Sequence, residues 1–321
     1  MKKIKLTVSI LACLVILIQA STAYSKPFSD NKGEIYVFES DGSGFNTKTI
    51  FYDDGKEVVA FDAQFTEATA IQAIAFLKTK TKNPIKWLVV THPNPDKFNG
   101  IPAFKKEGAK IIMSTLTAQN LKGVHDYKKY YFVHLAKMFT EETYPQLPTA
   151  DITFNDDYKI NLANGGSVEL KELNMSGVSL NQTVGYIPML QSLVVGDLVH
   201  HKTHAWLEGP IVQNKPAYSS QTWINTLTKI QSLYTNNTTI YGGRGASEVL
   251  SIAIPQQIAY LKTADEIVHN YIHSLIGNNI TDKKSKVDYT ALTAAFEKQF
   301  PNYTLPYMIT YGAYGIVANS K

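Results

Sequence analysis

Between residues 33 and 62 the apolar positions come in short bursts separated by turn residues. Glu34-Ile35-Tyr36-Val37-Phe38, Thr49-Ile50-Phe51-Tyr52 and Val58-Val59-Ala60-Phe61 predict three successive strands, with Asp53-Asp54-Gly55 as a hairpin turn. From Thr66 the period changes. Ala70, Ile71, Ile74, Phe76 and Leu77 recur near helical spacing, with Thr66 and Glu67 as the start signal. A buried strand at Trp87-Leu88-Val89-Val90 runs directly into Thr91-His92-Pro93-Asn94-Pro95-Asp96. A helix from near Ile101 to near Gly108 and a strand at Lys110 to Met113 complete a β-α-β-loop-α-β order, the pattern of a layered α/β fold.

Asp126 to Thr140 is rich in Tyr, Phe and Lys and reads as an aromatic-faced helix or a lid. Short strands follow at Ile152 to Phe154, Tyr158 to Leu162, Val168 to Leu173, Thr183 to Ile187 and Ser192 to Val195, with Asn164-Gly165-Gly166 as a hairpin turn. Helices are predicted over Ser220 to Tyr234 and Ser247 to His273, the second with Pro255 in its first turns or breaking it. Between them Thr239-Ile240-Tyr241 reads as a strand ending in the turn Gly242-Gly243-Arg244-Gly245. The tail reads as a short helix from Asp288 and then an extended Tyr-rich segment, Tyr303 to Val317. No internal repeat or low-complexity segment interrupts this order. Two sheets sandwiched together with helices outside account for it.

The first residues stand apart. Lys2, Lys3 and Lys5 precede an apolar run from Leu6 to Ile18, and small or polar residues lead to Ser25. That is the form of a secretory leader spanning residues 1–25, cleaved after Ser25, which leaves 26–321 as a single domain with a C-terminal tail. Export to the periplasm or the medium is the localisation expected. The leader also changes the charge argument. The whole chain is +4, from 31 basic and 27 acidic residues; without the three leader lysines 28 basic residues face 27 acidic ones, or +1. No basic stripe remains to attract nucleic acid, and no later segment has ~20 apolar residues in a row to span a membrane. The single cysteine, Cys13, lies inside the leader's apolar run, which continues past it, so the resemblance of Ile10-Leu11-Ala12-Cys13 to a lipidation signal is faint. The mature chain therefore has no disulfide and no thiolate metal ligand.

The loop after the buried strand, Val89-Val90-Thr91-His92-Pro93-Asn94-Pro95-Asp96-Lys97-Phe98-Asn99-Gly100, resembles the His-X-His-X-Asp-His loop of the metallo-β-lactamase superfamily. The likeness continues in register through residues 34 to 275. Val58 to Asp62 resembles the family's early strand ending in Asp, Leu193-Val194-Val195-Gly196-Asp197 its strand-Gly-Asp motif, and Gly243-Arg244-Gly245 its Gly-His-Gly. The resemblance implies a four-layer αββα sandwich. It also implies that His92, Asp96 and Asp197 occupy metal-ligand positions, whereas Asn94, Lys97, Val178 and Arg244 stand where the family has histidines.

Those substitutions bear on the metal. A divalent ion about 4 Å from one fixed positive charge is repelled by roughly 8 kcal/mol at an effective dielectric near 20, and a full structural zinc site supplies only about 10–16 kcal/mol. Two cations and a depleted shell remove most of that. Asp96 and Asp197 instead balance Lys97 and Arg244, so two ion pairs are expected where the family holds metal, and no cofactor is expected. One arrangement would restore a mononuclear zinc or other divalent site: His92, Asp96 and Asp197 joined by His201 from the run His200-His201-Lys202-Thr203-His204. Otherwise these histidines lie at the surface or in hydrogen bonds near the site entrance. His125, His134, His269 and His273 fall on predicted helices, the last two at i, i+4. Lys97 reads as a charged strut, or as a base if desolvation lowers its pKa.

Two functions follow. The first is a small-molecule binder that holds a polar or anionic ligand through Lys97, Arg244 and Asn94, with Asp96, Asp197 and Lys97 carrying any weak catalysis. The second is a metal-dependent hydrolase of esters, lactones or lactams built on the mononuclear site. The aromatic run Tyr127, Tyr130, Tyr131 and Phe132 falls where a segment covering the pocket would lie. A structural role in the cell envelope is the third, blander option.

Overall fold

The computed structural model describes residues 32–321; the leader, its cleavage position and Cys13 lie outside the described residues. The N-terminal half runs β1 (Glu34–Glu39), β2 (Lys48–Asp53), β3 (Val58–Phe61), α1 (Glu67–Lys80), β4 (Ile85–Val89), α2 (Pro95–Phe98), α3 (Ile101–Lys106), β5 (Lys110–Ser114), α4 (Thr115–Tyr130) and β6 (Ile152–Phe154). The C-terminal half runs β7 (Asp157–Asn161), β8 (Ser167–Glu172), β9 (Thr183–Ile187), β10 (Ser192–His201), β11 (Ile211–Val212), β12 (Lys215–Pro216), α5 (Ser220–Leu233), β13 (Thr239–Gly245), β14 (Glu248–Val249), α6 (Leu250–Ser274), α7 (Ile280–Ser285), α8 (Tyr289–Gln299), α9 (Tyr307–Gly312) and α10 (Tyr314–Asn319).

Two six-stranded mixed sheets form, ordered β1-β2-β3-β4-β5-β6 and β14-β13-β10-β9-β8-β7. Alternation along the strands decides which layer each side chain enters. Ile50, Tyr52, Val59, Phe61 and Val89 of the first sheet meet Ile160, Val168, Leu170, Ile187 and Val194 of the second in a core between the sheets. The neighbours Phe51, Val58, Ala60 and Leu88 face the other way, onto Ala70, Ile74 and Leu77 of α1 and Ile101 and Phe104 of α3. On the far side Val184, Leu193, Val195 and Ile240 pack under Trp223, Leu227 and Ile230 of α5 and Ile254, Leu261 and Val268 of α6. The layers are therefore α, β, β, α, as the periodicity predicted. Among the described residues no helix is long and apolar enough to cross a membrane.

Three local expectations are corrected, and the alternative left open at Pro255 is decided. The aromatic segment does not begin its helix at Asp126: α4 starts at Thr115, capped by Ser114, whose side chain accepts from the Thr117 amide. Its first turns bury only Thr117, Leu121 and Val124, too sparse a stripe to be legible. Pro255 does not break α6. Its missing N–H would have met the carbonyl of Ser251, and both residues are exposed, so no buried acceptor is stranded. Gly242 to Gly245 continue β13 rather than turning. Finally, Tyr303 to Val317 is largely helical, as α9 and α10, with Met308, Ile309, Ile316 and Val317 buried. Gly315 lets that tail close in, since a Cβ there would lie 2.0 Å from the carbonyl oxygen of Glu208.

Candidate functional site

The strand ends of both sheets deliver the residues the sequence singled out. β4 ends at Val89, and the chain then makes the loop Thr91 to Asn94 before the single turn of α2, with Pro95 at its first position. Asp62, just beyond β3 and in left-handed conformation (φ 65°), braces that loop. Its carboxylate accepts from the Thr91 amide at 2.9 Å and the Thr91 hydroxyl at 3.0 Å, and Thr91 Oγ1 lies 2.9 Å from His92 Nδ1. The Thr183 amide of the second sheet donates to the Thr91 carbonyl at 2.7 Å, tying the two sheets together beneath the site. From that sheet comes Asp197, where β10 loses regular pairing with β13 around Gly196, and Arg244 from β13 itself.

At the centre, four charges close on one another. Lys97 Nζ is 2.8 Å from Asp197 Oδ1 and 3.0 Å from Asp96 Oδ2. Arg244 Nη1 is 2.7 Å from Asp197 Oδ2, and its Nη2 is 2.9 Å from Asp96 Oδ2. Each cation thus bridges both carboxylates, where the sequence predicted two separate pairs. Thr47, which the sequence reading passed over, donates to Asp96 at 2.9 Å and accepts from Arg244 Nη2 at 2.8 Å, and Arg244 Nε donates to the Phe45 carbonyl. Lys97 and Asp197 are 0% exposed, Arg244 3% and Asp96 4%, so the charges are screened by each other rather than by water. Gly243 is required here: a Cβ at that position would stand 1.9 Å from Asp197 Oδ1.

The electrostatics follow from that closure. Burial alone would raise both carboxyls, but Arg244 and Lys97 hold Asp197 well below the usual range, and Lys97 with Arg244 holds Asp96 to about 2. Burial would likewise discharge Lys97, yet Asp197 and Asp96 override it and raise the ammonium's pKa. The two carboxylates thus favour the charged form of Lys97. His92 sits at the rim of the cluster, its Nε2 3.8 Å from Asp197 Oδ2 and without a hydrogen-bond partner. Burial pushes its pKa down to about 4, so the imidazole is neutral at pH 7 and forms no ion pair. Asp62 moves the other way, pushed up to about 7 by burial.

The later histidines separate. His201 does not face the cluster: its Nε2 is 3.9 Å from Glu248 Oε2, and its charged neighbours are Glu248 and Lys202. The one within electrostatic reach of Asp197 is His200, one residue earlier on the strand and on the opposite face of the sheet, with its ring 6.3 Å from that of Trp223. It is fully buried, both ring nitrogens lack partners, and burial lowers its pKa to about 3. His204 packs against Tyr260, Phe296, Phe300 and Tyr303, with Nδ1 3.2 Å from the Tyr260 hydroxyl. Val178 is part of the core beneath the outer helices and offers no donor. Asn94 lies at the mouth of the cluster, and among the described residues its side chain caps nothing in α2.

Two spaces adjoin the cluster. A cavity of about 30 Å³, lined by Asn94, Asp96, Asp197, Arg244, Lys128 and Phe132, holds no more than a water or two. Next to it, and sharing the rings of Phe45, Phe132 and Trp206, is a groove of about 600 Å³. Tyr131, Leu135 and Met138 line one side of it and Tyr307 and Tyr311 of α9 the other. The aromatic segment thus walls the groove, with Tyr131 to Leu135 wound as a π-helical turn, while Tyr130 points to solvent. A second buried ion pair stands at the junction. Lys128 contacts Glu208, whose Oε2 also accepts from Trp206 Nε1 at 2.9 Å, and the Lys128 ammonium lies 5.3 Å from the Trp206 ring centre. Nothing in the sequence marked Glu208, because its partner is 80 residues away.

No protein-family model matches the sequence, and no curated protein matches it. Solved structures do. The chain is similar to a metallo-β-lactamase from Pontibacter korlensis (TM-score 0.52, 19% identity, covering 72% of this chain and 94% of that one). It is also similar to VMB-1 (0.53, 18%, 74% and 96%) and to the DIM-1 metallo-β-lactamase exposed to ceftazidime (0.52, 14%, 74% and 95%). At these identities the likeness establishes the fold.

Proposed function

We propose that this chain, which has the metallo-β-lactamase fold, is an exported, metal-independent binder of a small polar or anionic ligand. The observation that carries the reading is the closed ring of Lys97, Asp96, Arg244 and Asp197. The fold implies zinc at this place, and the residues present do not suit it. Both oxygens of Asp197 and Oδ2 of Asp96 are turned to cations at 2.7–3.0 Å, and Lys97 Nζ bridges the two carboxylates that would have to share the ion. Among the described residues the unpartnered neutral donors near Asp197 are the imidazoles of His92 and His200, short of the three or four ligands zinc requires. The centre then serves to hold the two sheets' strand ends in register, each cation linking a residue of α2 to one of β10.

Recognition falls to the neighbouring groove, whose volume is that of an ordinary ligand site and whose walls are aromatic. Asn94, Arg244 and Lys128 line the small cavity that adjoins the groove at Phe45, Phe132 and Trp206, and would supply a polar end to it. Lys97, having no exposed surface, acts through Asp96 and Asp197 rather than on the ligand. Export rests on the leader pattern of residues 1–25.

Metal analysis of the purified mature chain after dialysis tests the reading. The expected result is no zinc, iron or manganese whose retention depends on Asp197, with content unchanged in Asp197→Ala. One equivalent that disappears in that variant overturns it and favours a hydrolase.

A further inference from the structure

We infer that His269 and His273 form a two-imidazole site for a divalent transition-metal ion on the outer face of α6, remote from the charge ring. The two residues are one helical turn apart, and both are exposed. Their ring centres lie 4.2 Å apart with the planes inclined at 32°. A metal with nitrogen bonds of about 2.0–2.1 Å at a tetrahedral angle needs its two nitrogens about 3.3 Å apart. Rings at this separation present nitrogens at that spacing after small rotations about exposed side-chain bonds. The pair occupies the last turns of a 25-residue helix, where the carbonyl end of the helix dipole favours a cation. Lys283, which donates to the His273 carbonyl at 2.9 Å, is the opposing charge.

The surroundings leave the remaining coordination positions open. His269 also lines a polar cavity of about 510 Å³ with Ser219, Ser220, Gln221 and Asp265. Asp265, one turn before His269, is already held by the Ser220 hydroxyl, and among the described residues no third His, Cys, Asp or Glu closes a shell. Water or a small anion in the cavity would complete it. Two imidazoles without a thiolate favour copper over nickel, and nickel over cobalt.

Calorimetric titration of the full mature chain with copper, nickel and zinc salts at about pH 8, where imidazole is neutral, tests the inference. One saturable equivalent is expected, with affinity reduced about tenfold or more in His269→Ala or His273→Ala because one of two protein donors is lost. The exposed His134→Gln should leave binding unchanged. Both positions lie on solvent-facing turns, so the variants should keep the wild-type circular dichroism. Binding undiminished in the double variant, or no saturable binding at all, overturns the inference. Metal that survives the double variant but is lost with Asp197→Ala would instead overturn the proposed function, so the two readings fail separately.

Discussion

The charge ring and the groove beside it share walls but have opposite physical characters. The ring packs two carboxylates, an ammonium and a guanidinium into almost fully buried space, and every charge is met by two of opposite sign. The groove exposes Leu135 at 62%, Met138 at 47% and Tyr311 at 53% of their surface around an open space. Buried charge is tolerable only when fully compensated, and such compensation fixes geometry. Exposed apolar side chains gain by covering whatever fits, which tolerates variety in the ligand. In the proposed function the fixed polar chemistry of this chain holds the strand ends together, and the adaptable surface next to it is left for recognition.

The comparison breaks most readily at Lys97. Lys97→Met leaves Asp197 with one cation in place of two and should cost about 3–5 kcal/mol in urea unfolding, the usual penalty for stripping one partner from a buried pair. A stable Lys97→Met variant that takes up stoichiometric zinc would mean that the ring only masks a metal centre. Lys128→Met removes the partner of Glu208 where ring and groove meet, and about 2–3 kcal/mol should be lost, read the same way.

Acid titration probes the ring's neighbours with a smaller effect per unit of pH. His92 and His200 have folded-state pKa values of about 4 and about 3, below the ordinary 6.5, so between these values the folded chain binds fewer protons than the unfolded one. Their contribution is complete above about pH 6.5 and is lost as the pH falls through the folded values. Asp62, raised to about 7, acts in the opposite sense: its contribution is complete below the ordinary carboxyl range and is lost as pH rises through 7. His204, lowered to about 4 by burial, adds a third imidazole against the one carboxyl, and urea stability should fall by about 2 kcal/mol per pH unit from pH 6.5 to 4. Asp62→Asn should steepen that fall; a flat profile would mean that the imidazoles are hydrated. The smallest expected effect on stability lies in the groove. Leu135→Ser with Met138→Ser should change it by about 0.5 kcal/mol or less, while abolishing the binding of an apolar fluorescent probe. A large stability loss there would make the groove part of the core.

The layers were legible because period-2 and period-3.6 patterns report which face is buried, and the strands from Glu34 to Ile187 fall within a residue or two of their predicted bounds. The ring was legible in outline through the resemblance, which set Lys97 and Arg244 where the family has histidines and so beside Asp96 and Asp197. The rest depended on information that one stretch of sequence does not carry. Thr47 and Glu208 act through partners 49 and 80 residues distant. The choice between His200 and His201 is a matter of strand register, where one residue reverses the face, and an irregularity at Gly196 sets that register. The tail helices were obscured because tyrosines and glycines dilute their apolar stripe.

The π-helical turn at Tyr131 to Leu135 has a further consequence. Such a turn holds one residue more than an α-helix needs, marked here by the Ala136 amide donating to the Tyr131 carbonyl at 2.9 Å. Deleting a single codon just before it would relax the segment to ordinary winding and rotate the side chains within the turn by about 100°, leaving those beyond it in place. Phe132 would then be re-aimed while Met138 and the sheets stayed where they are. Descendants of this gene thus have a one-step route to a differently shaped groove wall, and a laboratory library centred on that codon would sample it.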